Sequence, residues 1–238
     1  NMKLIVNSDD FGLTPGVNLG IIDALKRGLL RSTTAMMNMP AIEMAADLAK
    51  LNPELGVGIH LVLTAGRPLL DTHKTIVDEK GNFLKNAVLV KKTDVDVEEV
   101  YTEYVAQMEK YIKLFGHKPT HIDGHHHTHV LPQTVEATRR LAKAYEIKYV
   151  RHVDTDVAFV HDFYGPLTDY NQFETVLNRH LNAEYVELMC HVAFIDVDLI
   201  QCSTYNFDRV RELETLISSK AKDFVKDHNI ELINFSSY

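Results

Sequence analysis

Five of the nine residues from His121 to His129 are histidines, in the run His121-Ile-Asp123-Gly-His125-His126-His127-Thr-His129. Imidazole is the commonest protein metal ligand and titrates near neutrality, so the run points to an ion site, to proton transfer, or to both. Read as an extended strand, it puts residues 121, 123, 125, 127 and 129 on one face and Ile122, Gly124, His126 and Thr128 on the other. Alternate residues on a face lie about 6.6 Å apart, whereas a ligating nitrogen sits about 2.0–2.1 Å from a zinc-like ion. The strand alone therefore supplies one or two ligands. The other imidazoles face substrate or support the ligands, and Asp123 can orient a neighbouring ring by accepting its free N–H. A run of solvated or structurally bonded histidines is the alternative, but packing explains five in nine residues poorly.

Carboxylates stand at the end of an early apolar run, where Lys3–Val6 closes on Asn7-Ser8-Asp9-Asp10. Adjacent strand residues point to different sides, so one carboxylate can bind an ion while the other takes a proton. A helix N-cap before Phe11-Gly12-Leu13 is the competing role. His60 interrupts the apolar Gly58-Ile59-His60-Leu61-Val62, and His191 holds a similar place in Glu187-Leu-Met-Cys-His191-Val. A lone buried histidine is more often a bonded core residue than a ligand. Alongside two other metal-type groups at strand ends, His60 reads as a ligand, and His191 reads as a general acid or a structural residue. Arg151 and His152 end another strand; Arg151 could hold a substrate oxygen, pair with an aspartate, or form a solvated salt bridge. His73, His117, His161, His180 and His228 belong to no constellation and are expected at the surface. Cys190 is expected to pack as a short apolar residue.

Such groups need a scaffold that gathers strand ends. After the first strand, Val17, Ile21, Ala24, Leu25 and Leu29 recur at helical spacing behind Pro15-Gly16. Ser32–Asn38 reads as a strand, Ile42–Leu51 as a helix ended by Asn52-Pro53, and Gly56–Thr64 as a third strand. Residues 66–96 break this rhythm and form either a lid or rim of the active site or a plain surface insertion. A long amphipathic helix follows from Val97 to Phe115. Then come a strand Pro119–His129, a helix Gln133–Tyr145, a strand Lys148–Val153, a helix around Gln172–Leu181, a strand Tyr185–Ala193, a helix Asp208–His228 and a strand Glu231–Phe235. Seven strands separated by helices imply a parallel sheet. The expected fold is a single α/β domain over residues 1–238, a TIM-barrel-like parallel (β/α) barrel with room for irregularity, in preference to an open doubly wound sheet. In barrels chemistry sits at the carboxyl ends of the strands.

The hydrophobic share of 45%, charged share of 24% and net charge of −8 are those of an ordinary globular protein. No basic stripe is present, so a nucleic-acid partner is not expected. No apolar run approaches the roughly 20 residues of a membrane span, so no membrane partner is expected either. The two cysteines, Cys190 and Cys202, form no CxxC and suggest a reducing, cytoplasmic setting. Dinucleotide and P-loop motifs and GxSxG are absent, leaving no phosphate cradle and no nucleophilic serine.

Asn7-Ser-Asp9-Asp10-Phe-Gly12, Gly58-Ile-His60-Leu, Lys118-Pro-Thr-His121-Ile-Asp-Gly-His125-His-His-Thr-His129 and Leu188-Met-Cys-His191 together resemble the YdjC-like carbohydrate deacetylases, most closely the chito-oligosaccharide deacetylases. The likeness extends to Ser32-Thr-Thr-Ala35 and Ala193-Phe-Ile-Asp196. The resemblance implies a barrel-like α/β fold, often homodimeric, that removes an N-acetyl group from a chitin-derived oligosaccharide with a divalent cation, commonly magnesium. It implies Asp10, His60 and His125 as ligands, Asp9 as general base and His191 as the acid that protonates the leaving amine. His121, Asp123, His127, His129 and Arg151 would then support the ligands or meet the substrate. Val192 stands where proline is usual and Gly124 where serine is common, and the first change bears on the pose of His191. Two histidines and one carboxylate leave positions open for water and a carbonyl oxygen. By ligand softness this set suits Zn²⁺ better than the Mg²⁺ of the resemblance. Two rivals remain. A metal-dependent phosphoesterase or amidohydrolase usually carries His-x-His on its first strand, where this chain has Asp9-Asp10. A non-catalytic metal- or sugar-binding protein would not need Asp9.

Overall fold

Strand β1 (Lys3–Phe11) is buried at every residue after Lys3, so the polar run Asn7–Asp10 lies inside the protein. The computed structural model describes residues 1–238. Helix α1 (Pro15–Arg27) opens with Thr14 accepting the Val17 N–H, with proline in its first turn where no N–H is missed. Strand β2 (Ser32–Ala35), helix α2 (Ile42–Leu51), strand β3 (Gly56–Leu61), the short helix α3 (Asn86–Leu89) and the long helix α4 (Val97–Phe115) follow. Next are β4 (Ile122–Gly124), a 3₁₀ turn over His125–Val130, α5 (Val135–Tyr145), β5 (Ala158–Val160), α6 (Tyr170–Asn178) and β6 (Tyr185–Cys190). The chain ends with α7 (Val197–Cys202), α8 (Phe207–Leu216), α9 (Ser219–Asp227), β7 (Glu231–Leu232) and a 3₁₀ turn Phe235–Ser237.

All the strands are parallel, in the order β4-β3-β2-β1-β6-β5, with β7 paired to the start of β1. A bridge from Ile122 to Val150 extends the β4 edge, so the sheet curls into an irregular, incompletely closed (β/α) barrel. A cluster of 53 buried residues packs the helices against the sheet, while Ile5, Tyr149, Val157, Ile233 and Phe235 form a separate cluster of five. No helix is long and apolar enough to cross a membrane.

Several expected elements are shorter, for local reasons. The strand expected over Pro119–His129 stops at Gly124, because His126 and His127 adopt left-handed backbone at φ 56° and 55°. Thr128 Oγ1 then donates to His125 O at 2.9 Å and Thr138 Oγ1 to His129 O at 2.6 Å, satisfying carbonyls that a strand would have paired. The strict face alternation predicted for the histidines therefore ends at residue 124. Lys148–Val153 contributes only the Val150 bridges, whereas the unpredicted β5 lies nearby. The helix expected over Asp208–His228 is two, divided at Ser218, whose hydroxyl caps α9 by accepting the Ala221 N–H.

Residues 66–96 are irregular, as expected, apart from the short helix α3, and α4 ties them down. Glu103 accepts the N–H groups of Leu69 and Leu70 and contacts His73 Nε2 at 2.9 Å, and Glu99 accepts those of Lys74 and Thr75. His73, expected at the surface, is buried by this contact. Gly66, where the insertion begins, and Lys85-Asn86, where α3 begins within it, form part of the cavity wall.

Candidate metal and catalytic site

The carboxyl ends of β1, β3, β4 and β6 open into a cavity of about 890 Å³ that holds Asp9, Asp10, His60, His125 and His191. Two adjacent carboxylates reach it because β1 bulges. Its register against β2 shifts between Ser8 and Phe11, and Asp10 sits at φ 76°. A bulge re-aims side chains that a flat strand would send to opposite faces. Left-handed backbone at a non-glycine residue costs about 1–3 kcal/mol, strain that the surrounding contacts must hold.

Asp10 Oδ1 lies 3.3 Å from His60 Nε2 and 3.2 Å from His125 Nδ1, and the two nitrogens are 3.4 Å apart. Tetrahedral ligands about 2.0–2.1 Å from one ion stand about 3.3–3.4 Å from one another, so the triangle has the dimensions of three ligands sharing a cation. Asp10 Oδ1 is buried and has no hydrogen-bond partner of good geometry, an orphan that a cation would satisfy. The residues present therefore fit the divalent ion. Asp10 Oδ2 is engaged by Arg209 Nη1 at 3.0 Å. Burial opposes ionisation of Asp10, but Arg209 and the two imidazoles hold its carboxyl well below the usual range.

His60 is aimed by its neighbour. Parallel pairing of β3 with β4 sets His60 opposite Asp123, and His60 Nδ1 meets Asp123 Oδ1 at 2.7 Å, leaving Nε2 for the ion. Asp123 Oδ2 accepts from Thr34 Oγ1 at 3.0 Å and contacts Arg151 Nη2 at 3.0 Å. Burial alone would lower the His60 pKa; Asp123 and Asp10 overcome it and push it up to about 10. Cation binding at Nε2 must then displace a firmly held proton.

Asp9 is ionised. Its carboxyl accepts from Arg151 Nη1 and Nη2, both at 3.0 Å, and from Asn7 Nδ2 at 2.9 Å. Burial opposes the charge, but Arg151 holds the pKa below the ordinary value. Arg151 itself is fully buried, and it also donates to Glu187 Oε2 at 2.6 Å. The alternatives of a solvated salt bridge and of a substrate contact for Arg151 are therefore corrected: its guanidinium is spent on Asp9, Asp123 and Glu187 behind the cavity.

His191 Nε2 stands 3.6 Å from Asp9 Oδ2. Its pKa is lowered to about 4, since burial outweighs the pull of Asp9 and Asp10, so the resting ring is neutral. Its backbone N–H donates to Glu212 Oε1 at 2.6 Å, and burial pushes the Glu212 pKa up to about 8. The Val192 departure has a structural counterpart: the Val192 N–H donates to Ser8 Oγ at 3.0 Å, a bond proline could not make. Gly124 is accounted for as well, because a Cβ there would lie 2.5 Å from His129 Nδ1.

The other predicted residues divide. His129 is buried, its Nε2 bonded to Arg151 O at 2.9 Å, and so steadies the arginine. His121 lies behind the site, its ring 4.2 Å from that of Phe235 and tilted 37° to it, and bonded to Asn7 Oδ1 at 3.1 Å, and cannot meet substrate. His127 lines the cavity beside His152. So does His126, which strand alternation had turned away; its Nδ1 bonds Thr64 Oγ1 at 2.9 Å. His161, expected to be uninvolved, also lines it. Arg209 and Glu212 were not anticipated. An Arg and a Glu three apart on a helix read as a surface pair, and nothing in their spacing signals burial.

The model of YdjC-like proteins matches residues 3–227. A carbohydrate deacetylase of Clostridium beijerinckii is 42% identical over 98% of this chain and 99% of its own. One from Geobacillus stearothermophilus is 41% identical over 98% of this chain and 97% of its own. The crystal structure of a protein from Enterococcus faecalis, one assigned to cellobiose-phosphate cleavage, superposes with a TM-score of 0.92 at 34% identity, covering 100% of this chain and 98% of that one.

Proposed function

Because the chain belongs to the YdjC-like family, we propose that it is a carbohydrate deacetylase, a hydrolase of linear amides that removes N-acetyl groups from chitin-derived oligosaccharides. The observation that carries this is the set Asp10, His60 and His125 around one orphaned carboxylate oxygen, with the ionised Asp9 and the neutral His191 at its side.

Asp10 Oδ1, His60 Nε2 and His125 Nδ1 would hold the ion. A divalent cation bound there would acidify a water and polarise the acetyl carbonyl, the two services such ions give hydrolysis. Asp9 accepts the proton of the attacking water, its carboxylate kept ionised and aimed by Arg151. The His191 ring, 3.6 Å from Asp9, relays that proton to the leaving amine as the carbon–nitrogen bond breaks. A neutral resting His191 suits this role, because it must first gain the proton it donates. Water supplies the oxygen of the released acetate, and no covalent intermediate with the protein is needed.

The family resemblance favours magnesium, whereas the donor set and the 3.2–3.4 Å spacing of its atoms favour zinc. Both belong in reconstitution trials. Residues 1–238 act as one domain in this reading, in the cytoplasm, where the unpaired Cys190 and Cys202 stay reduced. A homodimer is supported by exposed apolar residues on consecutive helices, Val197 and Ile200 of α7 and Phe207 and Val210 of α8.

The test is acetate release from N,N′-diacetylchitobiose by metal-reconstituted protein with and without chelator. Release that stops on chelation and returns with added metal is expected. A folded, metal-loaded protein that releases no acetate, or that cleaves a phosphodiester instead, refutes the proposal.

A further inference from the structure

Beside the ion site, one wall of the cavity is a column of stacked groups. Tyr164 and Tyr205 lie with ring centroids 4.3 Å apart and planes 4° from parallel. The guanidinium of Arg209 lies over the Tyr205 ring, 5.5 Å from its centroid. Since Tyr164 occupies one face of Tyr205 at stacking distance, the guanidinium covers the other. The column therefore runs Arg209, Tyr205, Tyr164, and its free end is the outer face of Tyr164. His191 leaves that face open. Its ring is 5.7 Å from Tyr164 and 5.8 Å from Tyr205, at 78° and 77° to them. Near-equal distances to two stacked rings put His191 alongside the column, against the ring edges. Tyr164 is 46% exposed and lines the cavity.

This half-exposed ring is held in place. The Tyr205 hydroxyl accepts the Gly165 N–H at 2.8 Å and donates to Glu212 Oε2. Glu212, buried, also accepts the His191 N–H. Tyr164 begins a tight turn closed by Leu167 N–H to Tyr164 O at 3.2 Å, which needs Gly165 at φ 67°. One carboxylate thus fixes both the height of the aromatic stack and the position of His191. A contact surface ordered in advance binds without a further entropic cost for its own immobilisation.

We propose that the outer face of Tyr164 is a sugar subsite, a platform for the pyranose ring that presents its acetamido nitrogen to His191. It rests on the deacetylase reading above. A pyranose with equatorial substituents carries only C–H groups on its faces and its hydroxyls around the rim. Such a face removes apolar surface from water when laid on an aromatic ring, while the rim stays free for polar groups. The platform and the amine-protonating ring are adjacent, so a sugar seated on one has its substituents within the reach of the other.

The experiment is calorimetric titration of N,N′-diacetylchitobiose into metal-reconstituted chain carrying Asp9→Asn to suppress turnover, alone and with Tyr164→Phe or Tyr164→Leu. Acetate release is measured in parallel with Asp9 intact. Tyr164→Phe keeps the ring and should bind within about twofold of the parent; Tyr164→Leu should bind on the order of tenfold more weakly. In turnover, Tyr164→Leu should raise KM by a similar factor with little change in kcat. Melting temperatures within a few degrees of the parent show that the fold is kept, since losing the Tyr164–Tyr205 stack costs only a small part of the total stability. Equal affinity of the leucine variant, equal losses in both variants, or no binding by the parent each overturns the platform. Ring-dependent binding without acetate release by the wild type would uphold the platform and remove the deacetylase reading. Acetate release with no dependence on residue 164 would do the reverse.

Discussion

Arg151→Met is the perturbation with the largest consequence. The guanidinium lies at 3.0 Å from both oxygens of Asp9, 3.0 Å from Asp123 and 2.6 Å from Glu187, and none of the four side chains is more than 3% exposed. Removing one partner of a buried ion pair costs about 3–5 kcal/mol, because the other charge stays buried without compensation. Here three carboxylates lose their shared cation. A loss of at least that size is a fifth or more of the total stability of a typical domain, about 5–15 kcal/mol. The sign of the pH dependence also reverses. In the wild type, Asp9 and Asp123 have folded pKa values below their ordinary ones, so their stabilisation is present above pH 4 and is lost as pH falls through the folded values. Glu187 already stands above its ordinary value, and without Arg151, burial, the largest influence on all three carboxyls, raises the pKa values of Asp9 and Asp123 as well. The variant then loses stability as pH rises through those values, and should be most stable in mild acid. Urea denaturation of both proteins from pH 5 to 8 measures this. A loss under about 1 kcal/mol, or parallel pH profiles, would refute the charge network as described.

Asp9→Asn should lower kcat by about 10²–10⁴-fold while leaving bound metal unchanged by elemental analysis; normal turnover would remove Asp9 as the base. His60→Ala and His125→Ala should each lower metal content measured the same way, and full occupancy in both would displace the ligand assignment. Metal affinity, measured by competition with a coloured chelator, should rise with pH between 6 and 9, because the ion must displace the His60 proton whose pKa stands at about 10. A flat profile would contradict that linkage. Arg209→Met should weaken metal binding about 10–100-fold by freeing Asp10 Oδ2, as losses of supporting partners do, and undiminished affinity would show that Asp10 needs no such anchor.

The elements of the site were legible where periodicity and residue type agreed. The stripe Val100, Tyr104, Met108, Tyr111 and Phe115 gave α4, and each of these residues is buried. Residue type and spacing pointed to an ion site but left open which aspartate and which histidine of the run would hold the ion; the resemblance implied Asp10, His60 and His125, and the structure brings these three together. The bulge at Asp10 and the left-handed turn at His126-His127 were not legible, since tertiary contacts override local propensity there; alternation thus misplaced His126. Arg151 was visible but misread, because one sequence cannot tell a solvated arginine from one enclosed by Asp9, Asp123 and Glu187, which lie 142, 28 and 36 residues away along the chain. Arg209 and Glu212 stayed hidden for the same reason, their partners Asp10 and the His191 N–H being contributed by other strands.

The central claim is that one ion, held by Asp10, His60 and His125, serves an amide hydrolysis. Its most direct test is acetate release from diacetylchitobiose by metal-stripped protein titrated with zinc or magnesium. Activity should climb in proportion to added ion and level off at one equivalent per chain. Release at full rate from the stripped protein, or none at any loading, would contradict it.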